Sequence, residues 1–175
     1  MEVVSGEATL KGAGRVEVEG TLYESEHVLI ATGSRPARPP IPGIDEAGVM
    51  TSREALELQE VPKSIAIIGG GYIGMEFASL FSKLGTEVRV VEMMPEIIPF
   101  LDPELAKRLR SSIKGVEYHL GARVTAVSAG TVQLRKSDGE DAIIEAEKIL
   151  LSAGRRPNSE SGGVAEAGVD IDRHG

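Results

Sequence analysis

Cysteine is absent from this 175-residue chain, and so is tryptophan. Without cysteine there is no disulfide framework, no thiolate metal site and no cysteine nucleophile. Histidine is scarce: His27, His119 and His174 are the whole supply. None sits in a motif that would make it a base or a ligand, and a lone strand histidine is usually structural. There are no paired carboxylates with a defined site, no metal-ligand spacing and no nucleophile elbow, so neither a metal site nor a catalytic residue is expected. Basic charge is outweighed, with 19 Lys and Arg against 27 Asp and Glu and a net charge of −8. That excludes a broad nucleic-acid surface, which needs clustered cations. No apolar run approaches the ~20 residues a membrane helix needs. The first ten residues contain Glu2 and Glu7 and no basic n-region. The expectation is a cytoplasmic protein with no nucleic-acid or membrane partner.

The composition, 41% hydrophobic and 26% charged, is that of a soluble globular protein. Residues 1 to 34 read as short strands: Glu2 to Glu7, Arg15 to Glu19 and His27 to Ala31, punctuated by glycine. Residues 34 to 43 then hold four of the nine prolines. Proline fixes φ and disfavours helix in the residue before it, so this segment reads as an extended connector and a domain boundary.

Beyond it, strand and helix alternate. Thr51 with Glu54 is a capping box for a helix through Leu58. Ser64 to Ile68 is a short β run. Ile73, Phe77, Leu80, Phe81 and Leu84 then recur at helical spacing, and Gly85 stands where a helix ends. Glu87 to Val91 is a second strand. Asp102-Pro103-Glu104 starts a helix to about Ile113. Strands follow at Val116 to Leu120, Arg123 to Val127, Thr131 to Arg135, Ile143 to Ala146 and Ile149 to Ala153. The fold class is α/β: a Rossmann-type parallel sheet with flanking helices, plus an antiparallel β-meander.

Between the first strand and its helix lies Gly69-Gly70-Gly71-Tyr72-Ile73-Gly74, a G-x-G-x-x-G. The hexamer alone is weak evidence. Its position after a strand and at the start of a helix is the context a dinucleotide fingerprint requires. Gly69 permits the tight turn, Gly71 lets a pyrophosphate approach the backbone, and Gly74 lets helix pack on sheet. The helix N-terminus offers free N–H groups to the anion. Glu92 ends the next strand 21 positions beyond Gly71, the spacing of the acid that holds the adenosine ribose. A carboxylate repels the 2′-phosphate of NADP, no Arg follows it in Met93-Met94-Pro95, and the nearest preceding base is Arg89. NAD is therefore preferred over NADP.

The block Ile65 to Glu76 resembles the NAD-domain signature of the flavoprotein disulfide reductases, and within them that of the dihydrolipoyl dehydrogenases. Ala31-Thr32-Gly33-Ser34-Arg35-Pro36 resembles the crossing from FAD domain to NAD domain. Ser152-Ala153-Gly154-Arg155-Arg156-Pro157-Asn158 resembles the crossing back. The resemblance implies residues 1–37 as the tail of an FAD-binding domain, 38–155 as an NAD-binding domain and 156–175 as the start of the return. It implies that Gly69, Gly71, Tyr72, Ile73 and Gly74 hold the NAD pyrophosphate and Glu92 the ribose. It places Val124 in the adenine pocket and Gly154 near the nicotinamide. It makes Tyr72 a gate, sets Glu76 beside the nicotinamide with a lysine partner, and brings Thr32, Gly33 and Ser34 towards FAD. It also implies a homodimeric parent flavoenzyme, joined to a 2-oxo acid dehydrogenase complex, that oxidises dihydrolipoamide with NAD through FAD and a redox disulfide.

Against the family pattern, the chain lacks the FAD fingerprint, the C-x-x-x-x-C pair with its lysine, and the His–Glu acid/base pair. The FAD-binding aspartate beyond the second crossing is not reached. The expectation is an excised NAD-domain fragment, inactive alone. The alternatives are the same domain from an NADH oxidase or mercuric reductase, or a non-catalytic NAD-binding module.

Overall fold

The structure, a computed structural model, describes residues 2–45 and 48–175. The chain divides into two units, Met1–Arg35 with Arg155–Gly175, and Pro36–Gly154.

In the first unit, Ala8–Leu10 (β1), Arg15–Val18 (β2) and Thr21–Glu24 (β3) form an antiparallel sheet in chain order. β2 and β3 are joined through Glu19 and Gly20 alone, at φ 48° and 80°. A two-residue turn with both φ positive matches strand twist, which is why the hairpin closes there. This corrects two sequence expectations. The strand placed at Glu2 to Glu7 lies instead at Ala8–Leu10. The one placed at His27 to Ala31 forms no ladder among the described residues; Leu29 is 91% exposed. Valine and isoleucine raise β propensity, but a strand exists only where a neighbour completes its hydrogen bonds. At the crossings, Ser34–Pro36 (β4) and Arg155–Pro157 (β13) pair as a two-stranded sheet.

The second unit contains Val49–Met50 (β5), Ser52–Leu56 (α1), Ser64–Ile68 (β6), Tyr72–Lys83 (α2), Glu87–Glu92 (β7), Pro103–Ser112 (α3) and Val116–Leu120 (β8). Arg123–Ser128 (β9), Thr131–Arg135 (β10), Asp141–Glu145 (β11) and Lys148–Leu151 (β12) complete it. The five-stranded sheet has the order β5-β12-β6-β7-β8 and is parallel throughout. β8 thus belongs to the parallel sheet, and the meander is β9–β11. The helix signals hold. Thr51 forms its capping box with Glu54, and Asp102 Oδ1 accepts from Glu104 N and Leu105 N at 2.9 and 3.2 Å.

Both faces of the sheet are covered, and the alternation of side chains along β6 shows how. Ile65 and Ile67 join Phe77, Ala78 and Phe81 of α2 and Ala106 of α3 in one core. Ala66 and Ile68 join Val127, Val132 and Leu134 of the meander in the other. The result is a continuous apolar strand, as expected where a parallel sheet is buried on both faces. Each fully buried isoleucine contributes about 1.5–3 kcal/mol.

The chain leaves β6 towards β7 and β8, whereas β12 and β5 lie on its other side. The direction of strand addition reverses at β6. In open parallel sheets the crevice beyond the strand C-termini at such a point is where ligands bind.

Candidate functional site

The glycine loop leaves β6 at that crevice. Gly69 has φ 106° and donates its N–H to Val91 O at 2.9 Å. A Cβ there would lie 2.5 Å from Ser152 O. Ser152 follows the last residue of β12, and its hydroxyl donates to Gly69 O at 2.9 Å and Ile68 O at 3.1 Å. Gly74, one turn into α2, packs against this staple: a Cβ would lie 2.1 Å from Gly69 O and 2.7 Å from Ser152 Oγ. Gly71 is different. It is the N-cap of α2, no side chain caps the helix, and nothing lies within 4 Å of where its Cβ would be. The α2 N-terminus therefore presents uncapped N–H groups into open space, the donor set a pyrophosphate requires.

Glu92 is 8% exposed. Its Oε2 accepts from Gly70 N at 2.6 Å and its Oε1 from Met94 N at 2.7 Å. Each carboxylate oxygen has a second lone pair, so the group can still accept from a ligand hydroxyl. Gly70 makes room for it, since a Cβ there would lie 3.1 to 3.2 Å from Glu92 side-chain atoms. Sequence reasoning gave Gly70 and Ser152 no role. The run of three glycines was the one available signal for the first.

A cavity of about 550 Å³ opens over the loop. Gly69, Gly71, Tyr72, Ile73, Glu92, Val124 and Gly154 line it. Pro39 to Pro42, expected only as connector, also line it. Tyr72 is 53% exposed and meets Phe100 edge-to-face, with centroids 6.2 Å apart.

The family model described as pyridine nucleotide-disulphide oxidoreductase matches residues 1–175. The chain belongs to that family. A dihydrolipoyl dehydrogenase of Acholeplasma laidlawii is 39% identical over 99% of this chain and 52% of its own length. A mercuric reductase of Staphylococcus aureus is 35% identical over 99% of this chain and 33% of its own length. Among solved structures, the HOCl-induced flavoprotein disulfide reductase RclA from Escherichia coli superposes with a TM-score of 0.86 at 32% identity. That match covers 99% of this chain and 41% of the other. The chain thus spans between a third and a half of the length of these relatives.

The remaining residues named from the resemblance fall in two places. Thr32 Oγ1 donates to Asn158 O and Asn158 Nδ2 to Thr32 O, both at 2.9 Å. Asn158 N donates to Gly33 O at 3.0 Å and Arg155 Nε to Ser34 Oγ at 2.7 Å. In the first unit, then, these three residues bind the return crossing. Glu76 is exposed on α2 and does not line the 550 Å³ cavity; it borders a separate groove of about 770 Å³ between α2 and α3. No helix among the described residues is long and apolar enough to cross a membrane, and none of their acidic, His or Cys side chains cluster as a metal site.

Residues 93 to 101 carry Phe100 to the cavity mouth. Ile98 holds them down by donating its N–H to Gly70 O at 2.9 Å, with φ 45°, an outlier for a β-branched residue. Glu96 ties the segment to α3, accepting from Arg110 Nε at 2.8 Å and Nη2 at 3.1 Å. The Arg110 hydrogen bonds, with a smaller contribution from Ile97 N–H, hold the Glu96 carboxyl below the usual glutamate range, and the same pairing raises Arg110. A lowered folded-state pKa means the unfolded chain binds more protons. The pair's contribution is therefore complete above the unfolded value of about 4.3 and is lost as pH falls through the folded one. Thermal melts from pH 8 to 3 should show Glu96→Gln less stable near neutrality, with a shallower decline below about pH 4. Parallel acid limbs in the two proteins would refute it.

Proposed function

We propose that this chain is the NAD-binding part of a dihydrolipoyl dehydrogenase-like flavoenzyme. The observation that carries it is Glu92 at the cavity wall beside an uncapped helix N-terminus. On this reading residues 38–155 are the NAD domain, and 1–37 and 156–175 belong to the FAD domain on either side. The backbone at Gly71, Tyr72 and Ile73 holds the pyrophosphate, and Gly69 and Gly74 shape the turn. Glu92 holds the ribose hydroxyls, Val124 faces adenine, and Gly154 lies towards the nicotinamide, over which Tyr72 is a gate. Glu76 serves the nicotinamide end with a lysine from outside this chain. Thr32, Gly33 and Ser34 approach FAD in the whole enzyme.

FAD, when bound, would carry electrons between the nicotinamide and a redox disulfide. The residues present here supply positioning and electrostatics. The whole enzyme is proposed to be a cytoplasmic homodimer, joined to a 2-oxo acid dehydrogenase complex. The 35% identity to a mercuric reductase supports a second reading, the same nucleotide site serving a different acceptor.

Calorimetric titration of the full chain with NADH and NADPH in parallel tests the proposal. Saturable NADH binding with weaker NADPH binding is expected. Stronger NADPH binding would overturn the choice of NAD, and binding of neither would overturn the nucleotide site. With FAD added, no lipoamide reduction is expected, since the chain has no cysteine to form the disulfide.

A further inference from the structure

Two acidic or basic side chains line the 550 Å³ cavity, the carboxylate residue Glu92 and the guanidinium residue Arg123. Arg123 opens β9 and is exposed. The backbone brings it to the Glu92 end of the cavity: Gly121 N–H donates to Met94 O at 2.9 Å and Ala122 N–H to Glu92 O at 3.0 Å. The fold makes no evident use of its charge. Among the described residues, the arginine ion pairs of the surrounding strands and α3 fall on Arg89, Arg108, Arg110 and Arg135, and not on Arg123. Arg135 is the cross-strand neighbour of Arg123 and is bound by Asp141. Glu92 is already engaged by Gly70 N and Met94 N.

A guanidinium carries five donors in a planar fork that matches phosphate geometry. Here it borders a cavity also lined by Val91, Ala122 and Val124, and a charge-assisted hydrogen bond to a phosphate is stronger than a neutral one. We propose that Arg123 is a specificity-determining residue that binds a 2′-phosphate on the adenosine ribose, giving the chain NADP(H) affinity that Glu92 alone would deny it. The proposal rests on the dinucleotide reading above. Glu92 accepts from the free ribose hydroxyls and repels the phosphate; Arg123 offsets part of that repulsion. The site prefers NADH but does not exclude NADPH.

The test uses the full chain, with AMP and adenosine 2′,5′-bisphosphate as probes, titrated calorimetrically at two salt concentrations. Arg123→Gln should weaken the bisphosphate by about tenfold, the size of one charge-assisted hydrogen bond, and AMP by about twofold at most. Arg123→Lys should recover part of the loss. In the unsubstituted chain, bisphosphate affinity should fall more steeply with salt than AMP affinity. Equal weakening of both probes would place Arg123 against the base or the shared 5′-phosphate, and no change in either would leave it without a ligand role. Either outcome overturns this proposal while the nucleotide site stands. If neither probe binds the unsubstituted chain, the dinucleotide reading falls, and this one with it.

Discussion

Glu92→Ala is expected to lower the ratio of NADH to NADPH affinity at least tenfold, whatever it does to either affinity alone. The ratio is the decisive readout because Glu92 has two tasks. Its carboxylate satisfies Gly70 N and Met94 N. Truncation strips both of their acceptor, at about 1–3 kcal/mol for each that stays buried. That damage loosens the loop and weakens both nucleotides together, so it cancels in the ratio. What does not cancel is chemistry at the ribose. NADH loses hydrogen bonds to an ionised acceptor, worth about 1.5–3 kcal/mol, or roughly ten- to hundredfold. NADPH is released from a like-charge contact that costs several kcal/mol in a confined site. Both changes move the ratio the same way. A lower melting temperature with an unchanged ratio would leave Glu92 as a staple of the loop that reads no ribose.

Much of this site was legible because its parts are close in sequence. The strand, glycine loop, helix, second strand and acid span residues 64 to 92, and each is set by local rules of turn, cap and period. The structure packs Gly69 and Gly74 where a Cβ would meet backbone and leaves open space at Gly71. What could not be read comes from chain brought in from afar. Ser152 grips the loop across more than 80 residues. Arg123 lies 31 positions beyond Glu92, so a search for bases beside the acid met Arg89 instead. Arg89 is engaged by Glu87, Glu117 and the Glu145 carbonyl, and does not line the cavity. Within residues 1 to 34, Arg15 to Glu19 forms β2 as expected, whereas the strands placed at Glu2 to Glu7 and His27 to Ala31 failed for a related reason. Propensity marks His27 to Ala31 as β, but pairing is non-local, and the hairpin that does form turns on Glu19-Gly20, outside the common Asn-Gly and Asp-Gly signals.

Gly74→Ala and Gly71→Ala should separate the loop's structural task from its binding task, although both add one methyl group. At Gly74 the new Cβ would lie 2.1 Å from Gly69 O, a backbone atom that a rotamer change cannot move aside. Alanine favours the helix by about 1 kcal/mol. Overpacking costs about 1–3 kcal/mol and occasionally more, and a contact this close belongs at the upper end. A net loss of about 2 kcal/mol lowers the melting temperature by roughly 4–8 °C in a chain of this length. NADH affinity falls as well, because relief of the clash must shift Gly69 and the staple to Ser152. At Gly71 the backbone is extended with φ −70°, which alanine adopts freely, and the new Cβ meets nothing within 4 Å. Stability should stay within about 0.5 kcal/mol. Yet that open space is where a pyrophosphate must reach the α2 N–H groups, so NADH affinity should fall at least tenfold. Gly71→Ala with normal binding would mean the ligand does not approach the helix terminus, and the pyrophosphate assignment would fail while the Gly74 result stood.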